Sequence, residues 1–138
     1  MNSCSEDIKE MLEDYLDSSD SIAVSSDFVL FPMFIGKEPA EPSQTISIFE
    51  TGGYPPQLTM NRDEIYEYPS VQIRVRAISY LSGWEQATEI KNALHGRANE
   101  QWGSVIYTLI KCINGPMLLD YDKNQRVRFI INFDCQRR

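Results

Sequence analysis

A single histidine, His95, and three widely spaced cysteines set the first limits on this sequence. A catalytic dyad or zinc site built on imidazole would have to centre on His95, and nothing near it in sequence completes one. Cys4, Cys112 and Cys135 are odd in number and form no CxxC pair, which argues against a disulfide framework and against zinc. They read as small buried hydrophobes rather than as nucleophiles. Basic residues are also scarce: 13 Lys and Arg face 20 Asp and Glu, for a net charge of −7. A surface of that sign is unsuited to gripping phosphates, so nucleic-acid binding is disfavoured as a main function, and solubility accounts for the acidic balance. No apolar run approaches the roughly 20 residues that span a bilayer, so no membrane partner is expected. The opening Met1-Asn2-Ser3-Cys4-Ser5-Glu6-Asp7 has neither the basic nor the apolar region of a secretory signal, which points to the cytoplasm. A chain of 138 residues is long enough to bury one core without metal or disulfide, and a single domain over 1–138 is expected.

What is present is a set of local periodicities. Ile8, Met11, Leu12, Tyr15 and Leu16 fall at helical spacing, and Ser3 with Glu6 has capping-box spacing, so a first helix runs from about Ser5 to Asp17 and stops in Ser18 to Ser21. Strands are expected at Phe28 to Ile35 and Thr45 to Phe49, with Pro32 marking the first as an edge. Gly36 to Pro42 reads as the loop between them. Val71, Ile73, Val75 and Ala77 alternate with Gln72, Arg74 and Arg76, the pattern of a strand with one buried and one wet face. After an opening at Ser82 or Gly83, Trp84, Ala87, Ile90, Lys91 and Leu94 fall at helical spacing, so helix two is placed from Trp84 to His95 with Gly96 as its stop. Its last-turn His95 is expected to meet free helix carbonyls. Trp102 to Cys112, Leu118 to Tyr121 and Gln125 to Cys135 complete the strands, broken at Asn114-Gly115-Pro116 and joined by a turn over Asp122 to Gln125. In the last of these, Val127, Phe129, Ile131 and Phe133 share one face. The order reads as α+β, with two helices packed on one face of a largely antiparallel sheet.

Between Glu50 and Arg76 lies the segment that this pattern does not absorb. Glu50-Thr51-Gly52-Gly53-Tyr54-Pro55-Pro56 is a fixed turn out of a strand, because the glycines permit positive φ and the prolines forbid helix. No helix start follows Gly52-Gly53, so the pair is not a phosphate cradle. Gln57 to Tyr66 reads as a long polar loop, the kind that is functional in small domains. Tyr54, Leu58, Ile65, Tyr66 and Tyr68, with Pro55 and Pro56, give it an amphipathic aromatic character that suits either a protein interface or a lid over its own core. Arg74 and Arg76 form a stripe about 7 Å apart on the wet side of their strand. That stripe suits carboxylates, either on a partner or within the same sheet. The acidic residues of helix one, Glu6, Glu10, Glu13 and Asp14, read as a solvated face. No catalytic residue, cofactor or metal is assigned.

Taken in order, Glu50 to Pro56, Tyr68 to Arg76, Ala93-Leu94-His95-Gly96, Gly115-Pro116, Asp122 to Arg126 and Ile131-Asn132-Phe133 resemble a family of bacteriophage minor capsid proteins that overlaps the tail-terminator, or tail-completion, proteins of long-tailed phages. The resemblance covers most of the chain. It implies a non-enzymatic virion subunit that assembles with itself into a ring, typically a hexamer, on the head-proximal end of the tail. Its implied partners are the major tail tube protein and the head–tail connector, with DNA only passing through the lumen. Two other readings stay open at this point: a head-completion or adaptor protein of the virion, and a small ligand-binding domain that holds an acidic molecule with Arg74 and Arg76.

Overall fold

The computed structural model describes residues 3–17, 31–58 and 65–138. Helix α1 spans Cys4–Asp17 and opens with the expected capping box: the Ser3 amide donates to Glu6 Oε2 at 2.8 Å, and the Glu6 amide donates to Ser3 Oγ at 3.2 Å. Its stripe of Ile8, Met11 and Leu12 is fully buried. Each such side chain contributes about 1.5–3 kcal/mol, which a helix this short needs because it is marginal alone. The expected stop at Ser18 to Ser21 lies outside the described residues.

Helix α2 spans Tyr80–Leu94, four residues earlier at its start than the sequence reading placed it. Ser79 is the N-cap, accepting the Ser82 amide, so Ser82 belongs to the first turn rather than opening the helix. Ala87, Ile90, Ala93 and Leu94 face the core, whereas Trp84, expected among them, remains 41% exposed. His95 caps the C-terminus through its amide bond to Lys91 O. Its ring does not meet helix carbonyls: Nδ1 accepts the Cys112 amide at 2.9 Å and so fastens the helix end to a strand.

Among the described residues, eight strands form one mixed sheet: β1 (Met33–Ile35), β2 (Thr45–Glu50), β3 (Tyr54–Leu58), β4 (Ile65–Tyr68), β5 (Ser70–Ala77), β6 (Glu100–Trp102), β7 (Val105–Tyr121) and β8 (Val127–Arg137). The edge strand β1 starts after Pro32 and runs parallel to β2, while every other pairing is antiparallel. Residues 28–30 of the strand expected there lie outside the described residues. β8 sits in the middle, paired with β5 on one side and β7 on the other. Its alternation buries Val127, Phe129, Ile131 and Phe133 against the helices, as the period of two requires. The core is one cluster formed by that face, by Val71, Ile73 and Val75 of β5, by Ile46 and Ile48 of β2, and by the stripes of both helices.

The expected break at Asn114-Gly115-Pro116 is absent. β7 runs 17 residues through it, because pairing with β8 resumes after register shifts on either side of Asn114. Trp102 belongs to the short β6, turned back onto β7 at Gly103. The turn after β7 is where the sequence placed it: Asp122 Oδ1 accepts the amides of Asn124 and Arg126, each at 2.9 Å.

Candidate assembly surface

The segment read as a long loop is a β-hairpin arm. β3 pairs with β4 through Tyr54↔Tyr68, Gln57↔Tyr66 and Leu58↔Ile65, so Pro55 and Pro56 lie inside a strand rather than in a turn. Prolines are tolerated there because β3 is an edge: among the described strands it pairs with β4 alone. The connection 59–64 lies outside the described residues. β2 and β3 together run beside β5 and β4 as one long ribbon, kinked where Thr51-Gly52-Gly53 stands opposite Pro69. The Thr51 amide donates to Ser70 O and the Cys135 amide to Pro69 O, each at 2.9 Å, which pins the kink to the sheet. Gly52 and Gly53 have φ of 92° and 76°, and a Cβ on Gly53 would lie 2.0 Å from the Tyr68 carbonyl oxygen. Only glycine fits that approach.

Tyr54 on the arm is 68% exposed, and Pro55 and Pro56 are exposed beside it. Tyr66 and Tyr68, on the facing strand, are half-buried. The C-terminal residues fasten β4 from its other side, with Arg137 Nε donating to Glu67 Oε2 at 2.7 Å and Arg138 Nη1 to the Tyr66 hydroxyl at 3.5 Å. At the base of the arm, Thr51, Gly53, Ser70, Ile113 and Asp134 line an open depression of about 270 Å³.

Arg74 and Arg76 do share one face of β5, and both turn to Glu38 of the 36–44 loop, at 3.6 and 3.5 Å. Carboxylate pairing within the chain, one of the alternatives the sequence left open, is therefore realised, although the acid comes from a loop rather than from a neighbouring strand. The face expected to be wet is covered at Arg76, which is only 4% exposed. Its Nε donates to Ser43 O at 3.1 Å, and its Nη2 donates to Pro39 O at 2.5 Å and Pro42 O at 2.7 Å. Burial and the nearby Arg126 lower its pKa, while Glu38 and Asp122 oppose them. Arg74 stays partly exposed, stacked over the Phe49 ring at 5.0 Å. Arg126 and Arg128 complete the clasp, donating to Ala40 O and Glu38 Oε1 from the same sheet face. Loop carbonyls and Glu38 occupy the Arg76 fork, which leaves Arg74 as the more exposed of the two guanidinium groups.

The clasp carries a pH signature. The Arg128 hydrogen bond holds Asp120 below its usual range, and for Asp122 the bonds from Arg126 and Asn124 outweigh the opposing effect of burial. A carboxyl depressed in the fold contributes stability that is complete above its unfolded value and lost as pH falls through its folded one. The urea unfolding midpoint is therefore expected to drop as pH is lowered from about 4 toward about 2, with a shallower drop in Asp122→Asn. An identical slope in the variant, measured by circular dichroism, would show that the turn does not titrate with folding.

A second surface escaped the sequence reading. Ile78, Tyr80, Leu81 and Trp84 stand exposed around the start of α2. On β7, Ile113, Met117, Leu118, Leu119 and Tyr121 are between 41% and 52% exposed. The Phe129 ring lies 5.2 Å from Tyr80 and 6.1 Å from Trp84, and of the β7 residues Leu118 is its Cα partner and Tyr121 that of Val127, on the same face. Gly83 permits this approach, since a Cβ there would lie 2.8 Å from the Phe129 ring. Beyond β6, residues 96 and 97 exchange backbone bonds with Ile110, and His95 takes the Cys112 amide. Past that point no described strand pairs with the outer edge of β7. The apolar run at 117–119 and the cluster of Ile78, Tyr80 and Leu81 were the available signal, whereas the helical spacing of Trp84 read as core.

Fold and surface define a small α+β domain whose conspicuous features are strand edges and exposed apolar side chains. The chain belongs to the bacteriophage tail terminator family, whose model, described as bacteriophage tail terminator protein, matches residues 14–137. The resemblance read from the sequence is thereby borne out, and the chain is a structural component of a phage tail that associates with other phage proteins. A comparison with curated proteins finds no match.

Proposed function

We propose that this chain is a non-enzymatic tail terminator that closes with copies of itself into a ring, a hexamer, on the head-proximal end of the tail tube. The ring stops tube growth and offers its outer face to the head connector, and DNA passes through its acidic lumen without being held. The observation that supports this best is the β3–β4 arm, a two-stranded ribbon with exposed Tyr54, Pro55 and Pro56 and, among the described strands, none beside β3 except its own partner. A head-to-tail ring needs two different patches on each subunit. The arm is one, and the apolar surface around Phe129 and outer β7 is the other. On this reading the arm from Tyr54 to Tyr68, including Leu58 and Ile65, meets a neighbouring subunit or the tube protein. Arg74 adds a partly exposed cation, and Arg76 holds the loop beside it.

Deleting residues 57–64 is expected to leave the far-ultraviolet spectrum and unfolding midpoint of the subunit near wild type while abolishing rings and capped tubes. Light scattering reads the first loss, and electron microscopy of protein mixed with tail tubes reads the second. Tubes capped as well by the deletion variant would sink the role given to the arm.

A further inference from the structure

The first turn of α1 reaches both roots of the β3–β4 arm. On the β3 side, the Ser5 amide, one of the helix donors that no helix carbonyl satisfies, donates to Glu50 Oε1 at 3.5 Å, at the end of β2 just before the Thr51-Gly52-Gly53 kink. On the β4 side the contact runs through a buried chain. The Tyr107 hydroxyl donates to Asp7 Oδ2 at 2.7 Å and accepts from Arg137 Nη1 at 3.2 Å, and Arg137 Nη1 lies 3.8 Å from Asp7 Oδ2. The other end of the same guanidinium donates through Nε to Glu67 Oε2 at 2.7 Å. Tyr107 and Glu67 are the Cα partners of Arg137 on β7 and β4, so the three side chains share one face of the sheet. Asp7 is 1% exposed, and its Oδ1 has no hydrogen-bond partner. A carboxylate so placed is costly without Tyr107 and Arg137 beside it, which holds both of them to it.

We propose that α1 aims the arm: Asp7 and Tyr107 fix the Arg137 guanidinium, and Arg137 is the positioning residue that sets the angle at which β4, and β3 with it, leaves the sheet. Among the described residues, β4 meets β8 at the single Cα pair Glu67↔Arg137. A two-stranded ribbon is barely stable by itself, so a few contacts decide where it points. The backbone bonds at Thr51 and Pro69 hold the pivot, and Glu67 lies beyond it along the arm. A guanidinium is planar and rigid, so anchoring Nη1 on Tyr107 beside Asp7 fixes the direction of the Nε bond to Glu67. A lysine ammonium could face Glu67 or Tyr107 but could not orient one through the other. Glu50 gives α1 a second hold, on the opposite strand of the ribbon. A head-to-tail ring closes only when every subunit presents its patches at the same rotation. Resting on the reading of the arm as an assembly element, this lets the N-terminal helix act on ring closure through the arm.

Hydrogen exchange of the full-length subunit, read by mass spectrometry, tests the link. Glu67→Gln, at a side chain 33% exposed, is expected to speed exchange about tenfold at residues 65–68, the effect of weakening one charge-assisted hydrogen bond. Because coupling is reciprocal, exchange at residues 5–8 of α1 should rise as well. Asp7→Asn should loosen the same two segments, and the double variant should go no further at residues 65–68 than Glu67→Gln alone. Arg137→Lys should loosen the arm although it keeps the charge, while residues 71–75 of β5 exchange as in wild type. A Glu67→Gln effect confined to β4, single effects that simply add, or an undisturbed arm in Arg137→Lys would overturn the proposal. Should either buried variant fail to fold, Glu67→Gln still decides through its readout in α1. Light scattering of the same variants separates this link from the role given to the arm. Faster exchange in both segments with undiminished rings upholds the link and sinks the assembly role; slower ring formation upholds both.

Discussion

Replacing Arg76 by methionine is expected to cost about 3–5 kcal/mol of folding stability, the range for removing one partner of a buried, hydrogen-bonded charge. The size follows from what the guanidinium serves. Three loop carbonyls, of Ser43, Pro39 and Pro42, have it as a donor, and Glu38 faces it at 3.5 Å. Methionine fills the space but leaves those carbonyls under a covering loop that keeps water out. Arg74→Met is the control, since its 3.6 Å contact with the same carboxylate is made by a side chain 35% exposed, for which under about 1 kcal/mol is expected. Urea unfolding of the two variants side by side checks this. Equal shifts would mean that the loop is not held by Arg76. The same geometry bears on any charge-reversal test of the stripe: Arg76→Glu would unfold the subunit before it reported on an interface, so assembly is tested through Arg74→Glu alone.

A second large effect is expected at Gly53. Gly53→Val places a branched side chain at φ 76° with its Cβ 2.0 Å from the Tyr68 carbonyl. The backbone conformation alone costs about 1–3 kcal/mol, and the overlap adds to it by prising β3 away from β4. Gly52 separates the two causes, because its φ is 92° but nothing lies within 4 Å of a Cβ there. Gly52→Val should therefore lose only the conformational part and keep the arm in register, whereas Gly53→Val should lose hydrogen-exchange protection at Tyr66 and Tyr68 as well. On the proposed function, Gly53→Val caps tubes poorly and Gly52→Val caps them nearly as wild type. Equal behaviour of the two variants would show that the close approach at Gly53 does not set the arm.

Much of this architecture was legible because its signals are local. The capping box of α1, the stripe at Ile8, Met11 and Leu12, the alternation in β5 and β8, and the turn at Asp122 each depend on residues within a few positions of one another. The misread places involve partners far away in sequence. Asn114-Gly115-Pro116 looks like a break to any local rule, yet β8 offers enough pairing on both sides to carry β7 through it. Pro55 and Pro56 look like turn residues, yet an edge strand does not need their amide protons. Trp84 has core spacing, but α2 begins four residues early and its first turn overhangs the sheet around Phe129.

The sequence by itself determined the α+β class, the acidic surface, the positions of α1, β5 and β8, and the likeness to tail terminators, because periodicity, charge and motif order are properties of the chain alone. Only the tertiary structure decided which arginine is buried and that the aromatic segment is an arm. The physical reason is the same each time. Alternation on β5 puts Arg74 and Arg76 on one face, but whether that face is wet depends on a loop more than 30 residues away being laid across it.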